Sequence, residues 1–313
     1  MTTLNPSMKE HLAVPSPLHF QQAVAAIALG EADADFLHYL QFFTSQVPVK
    51  NMNFLHVLPE FNLLRAFFGG GSESMISNFE LNDEVVREME TKIKATLNNS
   101  NIEQIRFGVR EGNPLEELLK EAVDTQADLV LIGQKSSKSQ HGILARNLAR
   151  KVTCHALVVP EAAKDRLDKI MVPIDFSPNA LKAFLVALAL KKCLAKPAQI
   201  ICVNVYETPS MAAYRIGKTP EEIKAMIEED RHAAFRDFLR TYAPKETDHI
   251  QTVLIENVVG DIGMYLLDYA YDKGVDFIVT GAKGHSKVEL LLLGSVTEHL
   301  LADNDAIPTL IVK

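Results

Sequence analysis

The sequence predicts an α/β protein of two tandem doubly wound domains, each a parallel sheet with helices on both faces. Three observations carry that expectation. Short apolar, β-favouring runs alternate with longer segments of helical periodicity along the whole chain. The order of elements is then repeated. Val57 and Val205, Gly112 and Gly260, Asp128 and Asp276, and Gly133 and Gly281 are all 148 positions apart. Between the copies lies a short polar stretch, EAAKDRLD from Glu161 to Asp168. We therefore divide the chain at residues 1–162 and 163–313. Alternating strands and helices make right-handed crossovers and parallel pairing the default.

In the first copy, Leu12-Ala13-Val14-Pro15 is a strand candidate, followed by a long helical region from about Leu18 to Val47. Asn53 to Leu58 reads as a buried strand, Asn82 to Asn98 as a charged helix and Ile105 to Val109 as a strand. Asn113 caps a helix whose first position is Pro114, with Leu115, Leu118, Leu119 and Ala122 as its apolar stripe. Asp128 to Gly133 is a buried strand, and a further helix leads to the closing strand Ala156 to Val159. Pairing Pro15 with Pro173 gives a separation of 158, implying ten extra residues early in the first copy.

The second copy starts with the strand Ile170-Met171-Val172-Pro173-Ile174-Asp175, and Ser177-Pro178 starts the helix through Leu194. Ile200 to Val205 is a strand, Pro220 to Tyr242 a helix and Thr252 to Ile255 a strand. Ile262, Tyr265, Leu266 and Tyr269 line a helix ended by Gly274. Asp276 to Gly281 is the fourth strand, and Leu310-Ile311-Val312 closes the chain. That last apolar strand can pair with another subunit or with the closing strand of the first copy.

Composition narrows the function classes. The 313 residues are 47% hydrophobic and 23% charged, with a formal net charge of −8. No dense basic face is available for nucleic acid. No apolar run approaches a membrane span, and the first residues lack the apolar core of a signal peptide. Cys154, Cys193 and Cys202 have no metal-binding spacing and read as buried reduced thiols, which suits a cytoplasmic protein.

The chemistry concentrates in Phe277 to Thr297, FIVTGAKGHSKVELLLLGSVT. A strand ending at Thr280-Gly281 feeds Gly284, and nine residues later Gly294-Ser295 opens a helix. Glycines let backbone N–H groups approach an oxyanion, and a helix N-terminus offers unpaired donors. Ser295 and Glu298 also spell a capping box, and Gly281 also suits an ordinary turn. In open α/β sheets ligands bind beyond the carboxyl ends of the strands, where Asp175, Val205 and Gly281 converge.

With VPIDFS near its start and GAKG-x9-GSVT near its end, the second copy resembles the universal stress protein family. The resemblance is specific over about residues 168–313 and extends at lower specificity to about 10–160. It implies a five-stranded parallel core in each copy and an adenine nucleotide, ATP with or without Mg2+, in the second. By the same resemblance Asp175 contacts the ribose, the backbone of Val205 reads adenine, and Pro173 and Ile174 belong to the cofactor-binding set. Gly281, Gly284 and Gly294 form the phosphate loop, Ser295 and Thr297 add hydroxyl donors, and Thr280 and Val296 complete the cofactor-binding set. Structural roles stand beside these: Asp175 as a helix cap, Val205 as core.

The first copy departs from the pattern. It reads Val14-Pro15-Ser16-Pro17 opposite Asp175, without a carboxylate. It reads Gly133-Gln134-Lys135-Ser136 and, five residues on, Gly142-Ile143 opposite the glycine loop. We expect that half not to bind ATP. A stress-responsive binding protein is the leading expectation, with pairing of the halves inside one chain; homodimerisation is left open. The rivals are a slow ATP hydrolase or nucleotidyl transferase, using Lys283, His285 and Lys287, and a ligand-free dimerisation module. No paired carboxylates stand beside His285 to support efficient catalysis.

Overall fold

The computed structural model describes residues 16–31, 33–59, 78–135, 140–209, 218–258, 260–284 and 293–313. The first half contains β1 (Phe20–Ile27), α1 (Asp33–Gln46), β2 (Val49–Leu58), α2 (Asn78–Thr96) and β3 (Ile102–Glu111). It continues with α3 (Pro114–Asp124), β4 (Leu129–Gln134), α4 (Gln140–Lys151) and β5 (His155–Pro160). The second half follows as β6 (Lys169–Pro173), α5 (Pro178–Lys191), β7 (Gln199–Glu207), α6 (Pro220–Tyr242) and β8 (Ile250–Asn257). It ends with α7 (Ile262–Lys273), β9 (Phe277–Gly281), α8 (Ser295–Asp303) and β10 (Thr309–Val312).

All ten strands form one sheet in the order β3-β2-β1-β4-β5-β10-β9-β6-β7-β8. Within each half every pairing is parallel, as crossover helices require. The halves meet where β5 and β10 pair antiparallel, with Leu157 opposite Leu310. On one face a single apolar core runs through both halves, from Phe43 and Phe54 to Phe184 and Phe277. Phe43 of α1 and Phe277 of β9 stack across the halves with ring centroids 6.2 Å apart. The other face carries two clusters, one under α3 and α4 and one under α7 and α8. No described helix is long and apolar enough to cross a membrane.

The start of the first half corrects the sequence reading. The helical region expected from Leu18 to Val47 divides into β1 and α1, while the strand candidate at residues 12–15 lies outside the described residues. Phe20-Gln-Gln-Ala-Val-Ala-Ala-Ile27 favours helix locally. As a central strand, though, it pairs on both edges and buries Ala23, Val24, Ala25 and Ile27. Tertiary context overrides local preference there.

The strand registers also revise the repeat. Ala23 faces Met52 and Leu129, whereas Ile170 faces Ile200 and Phe277, so Ala23 corresponds to Ile170 at a separation of 147. There are no ten extra residues, and the counterpart of Asp175 is Ala28. Backbone geometry repeats accordingly. Leu29 (φ 57°) matches Phe176 (φ 62°), and Gln126 (φ 53°) matches Gly274 (φ 62°). Side chains repeat too. Asp128 accepts from the N–H groups of Gln21 and Gln22, as Asp276 does from Asp168 and Lys169. His56 Nδ1 meets Ile27 O at 2.8 Å, and Asn204 Nδ2 donates to Ile174 O at 2.6 Å.

The three thiols are free; Cys202 is buried and the other two are half-buried. Burial raises the pKa of each, Cys154 to about 11 and Cys202 further. Thiolate is the reactive form. Iodoacetamide at pH 8 should therefore leave Cys202 unmodified in the folded chain and alkylate all three after unfolding, as read by intact mass. Modification of Cys202 in the folded chain would contradict its place in the core.

Candidate functional site

The site is built where β6, β7 and β9 end together. Beyond β6 the chain turns through Asp175, and Ser177 caps α5 by accepting from Ala180 N at 3.2 Å. Asp175 Oδ1 accepts from Ser177 N at 2.9 Å. The intervening Phe176 is held left-handed, a conformation that disfavours a bulky residue. Its ring packs edge-on against Phe235 and Phe238 of α6, which anchors the turn.

Gly284, at the described start of the glycine loop, lies against that carboxylate. A Cβ on Gly284 would lie 2.8 Å from Asp175 Oδ2, and one on Gly281 would lie 2.8 Å from Asn179 O. A Cβ on Gly294 would sit 3.4 Å from Gly284 N. Asp175, Gly284 and Gly294 are thus brought together, across 119 positions of sequence between the first and last. Gly294 N donates to Ala282 O at 2.7 Å, and Ala282 N donates to Val312 O at 2.9 Å, so the loop's base is tied to β10. His285 and Lys287 lie outside the described residues.

At α8 the capping-box reading of Ser295 fails. Gly294 is the N-cap and makes no side-chain cap bond, and Ser295 is the first helical residue, with its side chain exposed. Glu298 instead pairs with Arg150 of α4. The first intrahelical bond, Glu298 N to Gly294 O, leaves the N–H groups of Ser295, Val296 and Thr297 ahead of it. An anion placed before this turn meets those donors and the positive end of the helix.

Other expected site residues take structural positions. Thr280 and Thr297 are each 3% exposed. Thr297 donates to Gly281 O at 2.9 Å and lies 3.3 Å from the Thr280 hydroxyl. Both hydroxyls therefore brace strand against helix rather than face outward, because Thr297 falls on the buried side of α8. Ile174 is buried; its N–H donates to Val203 O, and its carbonyl accepts from Asn204. Pro173 is half-buried at the end of β6, and Val205 is partly buried on β7 beside Ile255. Sequence reasoning missed Asn204, whose Oδ1 is buried without a hydrogen-bond partner among the described residues. An asparagine inside the apolar run Ile200 to Val205 was the available signal.

The described residues of the first half differ from those of the second around the same position. Ala28 replaces Asp175, and a Cβ on Gly133 would meet the Phe36 side chain at 3.2 Å. Helix α4 starts at Gln140, so Gly142 and Ile143 lie inside it rather than at its N-terminus. Ser136 lies outside the described residues.

Comparison with known proteins agrees with this architecture. The universal stress protein family model matches residues 51–160 and again 166–313. Universal stress protein MJ0531 of Methanocaldococcus jannaschii is 27% identical over 145 residues, covering 46% of this chain and 81% of that protein. Stress response protein NhaX of Bacillus subtilis is 29% identical over 166 residues, covering 47% of this chain and 98% of that protein. A universal stress protein structure from Archaeoglobus fulgidus superposes with a TM-score of 0.60 at 18% identity, covering 93% of this chain and 96% of the other. With two successive family matches over most of its length and the repeated sheet order to support them, the chain belongs to the universal stress protein family as a tandem member.

Proposed function

We propose that the second of two domains, 163–313, binds one adenine nucleotide, with ATP as the preferred form, and that the protein acts as a cytoplasmic stress-response regulator. The observation that supports this best is the Asp175–Gly284–Gly294 convergence. A side chain at Gly284 would push on the Asp175 carboxylate, and one at Gly294 would rest against the N–H of Gly284. Asp175 then accepts from ribose hydroxyls, the Val205 backbone meets the adenine edge, and Gly281, Gly284, Gly294, Ser295 and Val296 cradle phosphates. Mg2+ would sit mainly on phosphate oxygens. The first domain, 1–162, lacks the cradle and serves as the structural partner of the second.

The test is nucleotide content. The purified protein is denatured, and what it releases is identified and quantified. About one adenine nucleotide per chain is expected. Two would show that the first half also binds, and none, with no binding on titration of ATP and magnesium, would overturn the proposal.

A further inference from the structure

The first half has its own cavity, of about 220 Å³, at the carboxyl ends of β1 and β4. By the internal repeat it occupies the place that the Asp175 site occupies in the second half. Its walls are largely apolar, with Ile27, Phe36, Leu55, Val57, Leu118 and Ile132 among them.

Two buried polar side chains also line it, Asp33, 5% exposed, and Gln134, 3% exposed, together with the more accessible His56, Lys135 and Glu161. Asp33 Oδ1 accepts from Ala28 N at 3.2 Å. A carboxylate from the first turn of α1 thus reaches back to the position where the second half carries Asp175. Its other oxygen, Oδ2, lies 3.7 Å from Lys92 Nζ and has no hydrogen-bond partner among the described residues. Gln134 Nε2 donates to Leu301 O at 3.0 Å, which fixes the amide and leaves Oε1 without a partner among them. Both of these atoms are acceptors, each closed off from the cavity space itself, so an occupant reaches them only as the side chains turn. Buried acceptors without partners are costly, so an occupant that donates to them is favoured.

We infer that the first half holds a second binding site, for a small, uncharged, largely apolar molecule bearing N–H or O–H donors. The charged groups at the rim and behind the wall come in opposite signs, Lys135 with Glu161 and Lys92 with Asp33, so no excess charge selects an ion and an uncharged ligand is favoured. The volume sets the size. A cavity of about 150 Å³ accommodates benzene, so this one suits a bicyclic ring.

Indole, a bicycle with one N–H, and benzofuran, its counterpart without a donor, serve as probes on the isotopically labelled full chain. Indole should bind one per chain with a Kd of about 1 mM or tighter. Benzofuran should bind about tenfold more weakly, for want of one hydrogen bond. The amide signals of Ala26, Ala28 and Gln134 should shift, and excess ATP should not displace the probe. Ala28→Trp, at an exposed position on the rim, should abolish binding. In Asp33→Asn the amide oxygen stays on Ala28 N and the NH2 takes the place of Oδ2, so the preference should move toward benzofuran. Equal affinity for the two probes, shifts confined to Asp175 and Gly284, displacement by ATP, or no saturable shift would each overturn the inference. Should Asp33→Asn fail to fold, Ala28→Trp still decides: undiminished indole binding in that variant would place the probe elsewhere and overturn the inference.

Discussion

The double variant Gly284→Ala, Gly294→Val should lose adenine nucleotide by about 100-fold or more while remaining folded. A methyl at Gly284 lands 2.8 Å from Asp175 Oδ2. The obstructing atom is the end of a side chain, so the carboxylate moves and the backbone stays. Its displacement removes the proposed ribose contact. Gly294 has an extended conformation that valine adopts readily, with φ −77° and ψ 151°. Its added bulk would cover Gly284 N, 3.4 Å from the Cβ position, and so shield a phosphate donor. Losing two charge-assisted contacts at about 1.5–3 kcal/mol each exceeds the roughly 2.7 kcal/mol that 100-fold requires. Calorimetric titration measures the affinity, and thermal melting without nucleotide checks the fold. Unchanged affinity in a folded variant would remove this loop from the proposed site.

Phe277→Ala should destabilise the protein by about 3–5 kcal/mol, the usual cost of emptying a buried phenylalanine position. Phe277 is fully buried, stacks on Phe43 of the other half and belongs to the core that both halves share. The cavity therefore opens where neither half can collapse alone. Denaturant unfolding followed by circular dichroism gives the loss. We expect the wild-type protein to unfold in one transition, and a loss below about 1 kcal/mol would show that the shared core contributes little there.

Much of the fold is legible in the sequence because its signals are local. Asn113-Pro114 and Ser177-Pro178 start helices where the sequence places them, Gly274 ends α7, and α6 runs from Pro220 to Tyr242. The exception is β1. Its alanines are small because a central strand is packed on both faces, and that cause lies in the sheet rather than in the segment. The error propagates: misplacing β1 sets Val14 to Pro17, instead of Ala28, opposite Asp175. Of the candidate site, the approach of Gly284 and Gly294 to each other and of Gly284 to Asp175 is what the spacing anticipates; the orientation of each side chain is not legible. Glycine spacing marks where the chain comes back on itself, while only the course of α8 shows Thr297 turned toward Gly281 O. The Asp33 carboxylate is illegible, since it reaches position 28 from a helix whose start the local pattern does not mark.

The antiparallel join between β5 and β10 has a consequence for how the protein responds to its own concentration. Two separate subunits meeting along such an edge come apart on dilution, and their association follows mass action. Here both strands belong to one chain, so each is always present to the other at the effective concentration set by the connection. The join should persist at any protein concentration, however dilute. It also takes both closing strands out of circulation, and the strands left at the margins of the sheet are β3 and β8.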